Sequence, residues 1–285
     1  MDLGLGLEDC VVVITGAGGQ IGQVIVDAFL SAGCYVGAFD IDGSKFNRQH
    51  ERLLWIAVDT SHEEAMTTAW HKVEEHFHAF PSVCVCAAAM DLSFIEHHKS
   101  ITNMSVDQFR KTIDVNTTGT FITAKAWLSR LQSGMEALKT NAPEAPGPKN
   151  ISLIIIGSEA GILGVPGNAD YAASKSAVQY GLTLSLAPDA ANIHPRARVN
   201  AICPGAVDTV QFRRECAESP SSPVRWIESE ATVASRRPVQ TEDVARLCLT
   251  LASERWSAST TGQVLRVDGG KSGRLYWDNE NRALW

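Results

Sequence analysis

Tyr171 and Lys175 stand four residues apart in a helical pattern and so share one face. Ser158 lies thirteen residues before the tyrosine, directly after an apolar run. A phenol with a pKa near ~10 is a poor base at neutral pH. An ammonium ~4 Å away, in an effective dielectric of ~20, favours the phenolate by about 4 kcal/mol, or roughly three orders of magnitude in acidity. That is expected to bring Tyr171 close to the working pH, where proton transfer is most effective. Ser158 can then hold a carbonyl or alkoxide oxygen by a hydrogen bond. The three side chains together suit proton exchange at an alcohol or ketone.

A second constellation lies near the start of the chain, at Thr15-Gly16-Ala17-Gly18-Gly19-Gln20-Ile21-Gly22. It follows an apolar strand pattern and opens a helical one. Glycines let such a turn tighten and let its N–H groups approach a pyrophosphate at the helix N-terminus, where the dipole favours anions. Asp40, eighteen residues beyond Gly22, ends the next strand pattern, close to the spacing of a ribose-binding acid. A carboxylate there accepts from the ribose 2′ and 3′ hydroxyls and repels a 2′-phosphate. NAD is therefore the expected cofactor over NADP, although Lys45 and Arg48 lie downstream. Gly16, Gly19, Gln20, Ile21, Asp40 and Ile41 form the expected nucleotide-binding edge.

The elements that must position these groups alternate along the chain. Strand patterns run over Cys10 to Thr15, Tyr35 to Asp40, Leu53 to Val58, Val83 to Ala88, Ile151 to Ile156, Arg198 to Cys203 and Gln263 to Val267. Helical patterns run from Gln20 to Ala32, from the capping box Ser61-His62-Glu63-Glu64, and from a second box, Ser105-Val106-Asp107-Gln108, to about Leu138. Further helices are expected from about Tyr171 to Ala187, ending at Pro188, and from the cap Thr241-Glu242-Asp243. Alternation without a dividing linker predicts one α/β domain over 1–285, a Rossmann-like doubly wound parallel sheet of about seven strands. A Pro-rich insert falls at about 139–149 and a substrate lid at about 206–240.

These motifs resemble the short-chain dehydrogenase/reductase family, in its compact single-domain branch, over about Cys10 to Gly270. The resemblance implies that Asp59 and Thr60 approach the adenine, and that Ala87, Ala88 and Ala89 contact the cofactor. It implies that Pro204, Gly205, Val207 and Thr209 face the nicotinamide, and that Val267-Asp268-Gly269-Gly270 closes the fold. By the same resemblance Ser158 orients the substrate oxygen and Tyr171 is the general acid/base. Lys175 lowers the pKa of Tyr171 and holds the nicotinamide ribose, while Asn116 anchors a water in a proton relay. Homodimers or homotetramers through the two long helices are implied as well. Two positions depart from the family pattern. Gln20 stands where the compact branch usually has glycine, so glycines 16, 19 and 22 are spaced as in the branch that includes sugar epimerases. Cys86-Ala87-Ala88-Ala89 replaces the common Asn-Asn-Ala-Gly, which is expected to weaken the bracing of that strand.

Composition narrows the field further. The 285 residues are 45% hydrophobic and 20% charged, with a formal net charge of −7. That excludes a disordered chain and gives no basic stripe for nucleic acid. No apolar run reaches the ~18 residues of a membrane span, and the start lacks the basic region of a secretory signal. Seven cysteines without a CxxC pair read as free thiols in a reducing compartment, so a cytoplasmic location is expected. Cys84 and Cys86 share one side of a strand. His71, His76, His78, His97 and His98 lack metal-ligand spacing and are expected to be solvated, with no metal required.

Phe212 and Trp226, with Val210, Val224 and Ile227, make the lid apolar and favour a bulky or ring-containing secondary alcohol or ketone. The expected function is therefore an NAD-linked oxidoreductase. Epimerisation or cyclisation-coupled reduction on the same cofactor scaffold, and a non-catalytic nucleotide-binding regulator, are the alternatives.

Overall fold

The fold is taken from a computed structural model, which describes residues 3–45, 48–141, 147–218 and 227–276. Residues 142–146 of the Pro-rich insert, Val224 and Trp226 of the lid, and 277–285 of the tail lie outside the described residues.

The first half contains β1 (Val11–Thr15), α1 (Gln20–Ser31), β2 (Tyr35–Asp40), β3 (Leu53–Ala57), α2 (Glu63–Phe77) and β4 (Pro81–Cys86). Next come α3 (Val106–Ile113), a π-helical stretch Asp114–Thr118, and α4 (Gly119–Asn141). The second half contains β5 (Ser152–Ile156), α5 (Ala160–Leu163), α6 (Ala169–Ser176), a second π-helical stretch Ala177–Leu182, and α7 (Thr183–Ile193). It ends with β6 (Arg198–Pro204), α8 (Val210–Glu218), α9 (Thr241–Ala252) and β7 (Val264–Val267).

All seven strands pair in parallel, in the order β3-β2-β1-β4-β5-β6-β7. The strand order reverses between β1 and β4, and a crevice opens there beyond the carboxyl ends of the strands. Period-two alternation sends each strand's side chains into two cores. Val11, Val13, Cys84, Cys86, Leu153 and Ile155 pack on one face with Trp70 and Trp127, whereas Val12, Ile14, Val83, Val85, Ile154 and Ile156 pack on the other with Ile25 and Phe29. Both faces are buried, as the unbroken apolar strands require.

Four local expectations are corrected. Ser61 does not cap α2, because the Asp59 carboxylate takes both its N–H (2.9 Å) and its hydroxyl (2.7 Å), leaving His62 at the cap position. Pro188 does not end its helix. It sits on the exposed side of α7, where the Leu184 carbonyl it leaves unpaired can be solvated. His98 is buried rather than solvated, its ring paired with Gln108 at 2.8 Å. Elsewhere, Ser105 caps α3 by accepting from Gln108 N, while the cap of α9 falls at Gln240 rather than Thr241.

At the end of the sheet away from the crevice, Arg198 is 1% exposed and donates to the carbonyls of Leu251 and Ala252 and to the Ser257 hydroxyl. It satisfies the open carbonyls at the end of α9, and burial holds its pKa down at about 10. Arg198→Met should strand those acceptors and cost about 3 kcal/mol, read as a lower urea midpoint, with catalytic constants unchanged.

Candidate active site

Two loops meet at the crevice. Gly16 adopts φ +67°, and a Cβ there would lie 2.6 Å from the backbone of Ala88. The glycine turn thus lies directly against the segment that follows β4. Thr15 fixes this approach, its Oγ1 accepting from Ala87 N (3.2 Å) and Ala88 N (3.3 Å). The bracing expected to be weak at Ala87–Ala89 is supplied from β1. Gly22 lets α1 seat on the turn, since a Cβ there would come within 2.0 Å of Gly16 O.

Asp40 ends β2 with its carboxylate 8% exposed and fixed by two backbone donors, Gly18 N at 2.9 Å and Asp42 N at 3.1 Å. Ile41 beside it is exposed. Arg48, one of the two cations downstream, pairs with Asp27. Asp59 and Thr60 follow β3, and the hydrogen bonds to Ser61 help hold the Asp59 carboxyl below its ordinary range despite partial burial. Gln20 reaches across the crevice, its Oε1 accepting from Val210 N at 2.6 Å. The side chain that departs from the glycine pattern therefore caps the first residue of α8, joining the turn to that helix. Pro204–Thr209 is pinned from two sides: Gly205 N donates to Val267 O (2.9 Å), while Val239 N donates to Ala206 O (2.9 Å) and Asp208 N to Val239 O (2.8 Å). Phe212 is half-buried on α8.

Tyr171 and Lys175 lie on α6 and are 8% and 5% exposed. Ser158 lies beside the phenol and favours its ionised form, while its Oγ accepts from Ala160 N at 3.1 Å. Lys175 Nζ donates to Ile156 O at 3.0 Å and lies 5.7 Å from the centre of the Tyr171 ring. The electrostatics differ from the sequence-based expectation. Burial pushes the phenol above its ordinary range, Ser158 opposes that, and the Asp91 and Glu159 carboxylates push it further up. Burial also pulls Lys175 down to about 8, although Asp91 favours its charged form. Desolvation acts on both partners and is the largest influence on each.

Asn116 lies in the first π-helical stretch, 2% exposed. Its Oδ1 accepts from Met90 N (2.7 Å), and its Nδ2 donates to Met90 O (3.0 Å) and Ser174 Oγ (3.0 Å). The carboxamide therefore clamps the loop after β4 onto the helix of Tyr171. Glu159, next to Ser158, pairs with Lys271 at 2.9 Å, both side chains largely buried.

Residues 16–272 match the family model described as enoyl-(acyl carrier protein) reductase. The chain belongs to the short-chain dehydrogenase/reductase family. As a member it is an NAD(P)-dependent oxidoreductase. Its relatives include short-chain dehydrogenase srdC of Neurospora crassa, 30% identical over 88% of each chain. Another is 2-(S)-hydroxypropyl-CoM dehydrogenase 3 of Xanthobacter autotrophicus, 28% identical over 93% of this chain and 97% of the relative. The solved aldohexose dehydrogenase of Thermoplasma acidophilum, in ligand-free form, superposes with a TM-score of 0.76 at 27% identity, covering 95% of this chain and 97% of its own.

For this dehydrogenase/reductase, sequence reasoning did not single out Thr15, Gly18, Ser174 or Gln179. Each acts through a hydrogen bond to a group distant in the chain or to its own helix, and residue type alone does not announce that.

Between about pH 8 and the ordinary lysine value of 10.5, the unfolded chain holds a proton at Lys175 that the folded chain has released. Stability should therefore rise with pH through that window. Lys175→Met should flatten the rise by roughly 3 kcal/mol, measured as urea midpoints of the ligand-free protein from pH 7.5 to 10.

Proposed function

We propose that this enzyme interconverts a bulky or ring-containing secondary alcohol and its ketone with NAD as coenzyme. Tyr171 is the general acid/base, Ser158 the hydrogen-bond donor to the substrate oxygen, and Lys175 the cation beneath them. The observation that carries the reading is the burial of Tyr171 and Lys175 one turn apart on α6, with Ser158 beside the phenol and Lys175 Nζ bonded to Ile156 O.

The residues present fit a dinucleotide. The turn from Gly16 to Ile21 offers backbone N–H groups at the N-terminus of α1, and Gly16 and Gly22 keep clear the space that side chains would fill. Asp40 stands where it would accept from the adenosine ribose, and Asp59, Thr60 and Ile41 flank that end. Ala87–Ala89, Lys175 and Pro204–Thr209 would line the nicotinamide half. When bound, the nicotinamide accepts or supplies the hydride at the carbinol carbon.

The chain's own groups handle the proton and the oxygen. At neutral pH Tyr171 keeps its proton, and in ketone reduction it gives that proton to the oxygen as negative charge develops there. Ser158 stabilises the same charge by hydrogen bonding in a site that water enters poorly. Lys175, charged below about pH 8, offsets the phenolate left behind. Asn116 acts by fixing Met90 and Ser174, and with them the edges of the site; a relay water is proposed beside it.

Support for an apolar substrate comes from Met90, Ile95, Ala160 and Val165, which pack around Tyr171, and from exposed Phe94 and Leu163 on the same two segments. A fixed carboxylate at Asp40 supports NAD over NADP. Phe121, Tyr180 and Leu184, exposed on the long helices, support assembly of copies through them. Seven free thiols support a reducing, cytoplasmic setting.

A panel of secondary alcohols and cyclic ketones, assayed with both coenzymes, tests the assignment. Tyr171→Phe should lower kcat by about a thousandfold with NAD affinity within about twofold. Retained turnover would remove Tyr171 from the mechanism. Asp40→Ala should weaken NAD and lower the NAD-to-NADP ratio of kcat/KM by about tenfold, measured by steady-state kinetics.

A further inference from the structure

Beyond Cys86, which pairs with Ile155, β4 no longer accompanies β5. The backbone of β5 continues into the crevice. Its odd-numbered N–H groups are taken by β6: Gly157 N donates to Ile202 O at 2.7 Å and Glu159 N to Pro204 O at 2.9 Å. Its even-numbered groups face the other way and have lost their strand neighbour. The helix of Tyr171 supplies partners instead. Lys175 Nζ donates to Ile156 O at 3.0 Å, and Gln179 Oε1 accepts from Ser158 N at 2.9 Å. Tyr171, Lys175 and Gln179 recur at intervals of four, so one stripe of the helix touches the Ser158 hydroxyl, the carbonyl of Ile156 and the amide of Ser158.

Gln179 is fully buried. It lies in the π-helical stretch Ala177–Leu182, where one extra residue per turn widens the helix. Space has been kept for its amide. A Cβ on Gly157 would fall 2.4 Å from Gln179 Oε1, and one on Gly161 would fall 2.7 Å from Gln179 Nε2. Among the described residues its Nε2 is buried without a hydrogen-bond partner. The side chain is thus committed to a single backbone donor, that of the serine whose hydroxyl meets the phenol.

We propose that Gln179 is a positioning residue for catalysis: by holding the Ser158 amide it fixes the Ser158 hydroxyl in line with Tyr171. The proposal rests on the oxidoreductase reading above. A leucine at 179 fills similar space without accepting a hydrogen bond, whereas a glutamate keeps an oxygen in the same place.

Gln179→Leu should lower kcat by about tenfold or more, leave NAD affinity within about twofold, and speed hydrogen exchange at the Ser158 amide by about tenfold. Gln179→Glu should restore slow exchange and most of the turnover, with the pH–rate profile moved alkaline by the carboxyl group placed near Tyr171. Unchanged Ser158 exchange or unchanged kcat in Gln179→Leu overturns the proposal, as does equal loss in both variants. If Gln179→Leu does not fold, slow exchange with near-normal turnover in Gln179→Glu supports it, and fast exchange overturns it. Absence of turnover in the wild-type protein across the substrate panel would defeat the oxidoreductase reading. Exchange at Ser158, read in the same samples, would still decide whether Gln179 holds the serine.

Discussion

Desolvation of a phenol and an ammonium at the carboxyl end of β5 sets the terms for everything around them. Both Tyr171 and Lys175 are more than nine-tenths buried, and burial is the largest influence on each, raising the one and lowering the other. In water, a charge on either would be easy to form and of little use to a neighbour. In this site each charge is costly unless met by another group, so the proton on Tyr171 is held firmly. Ser158, which lies beside the phenol, and Asp91, which favours the charged lysine, are the groups that moderate this cost.

Such a site must also keep its backbone satisfied, and the architecture supplies the partners from unexpected places. Beyond the carboxyl ends of the strands, pairing ceases and polar main-chain groups are left in the crevice. Thr15 takes the amides of Ala87 and Ala88, Asn116 takes both polar groups of Met90, and Lys175 and Gln179 take Ile156 O and Ser158 N. Two of the three π-helical stretches among the described residues, Asp114–Thr118 and Ala177–Leu182, contain Asn116 and Gln179. Widened turns are thus found where a helix must aim an amide into the crevice rather than along its own axis.

What the sequence reveals follows the range of each interaction. Seven strands and their parallel sheet are legible because period-two apolar runs and glycine turns are local signals. Tyr171, Lys175 and Ser158 are legible because a helix turns i and i+4 to one side and the serine follows directly after a strand. Illegible are the contacts that only tertiary structure creates, such as Thr15 meeting Ala88 across 73 positions. The capping box at Ser61 fails because a neighbouring acid, Asp59, competes for the same groups. Pro188 continues its helix because exposure lets water take the carbonyl it frees. The acidity of Tyr171 is misjudged from sequence because Coulomb's law can be applied to a spacing, whereas desolvation depends on a burial that only the folded chain reveals.

The same logic accounts for Gln20. A glycine there would leave the first amide of α8 to solvent, whereas the Gln20 carboxamide accepts from it at 2.6 Å. The turn expected to cradle the pyrophosphate is thereby joined to the segment expected to cover the nicotinamide, two ends of the crevice that no strand connects. On the far side, Glu159 pairs with Lys271, tying the residue after Ser158 to the segment beyond β7, and Ser272 N donates to Thr232 O at 2.9 Å. The described residues flanking the expected cover are therefore joined by side-chain and backbone contacts to the rim of the crevice. Strand ends place the candidate groups, and a few hydrogen bonds across the crevice join the segments around them. An enzyme that must exclude water from a buried phenol and still exchange its ligands needs both kinds of support.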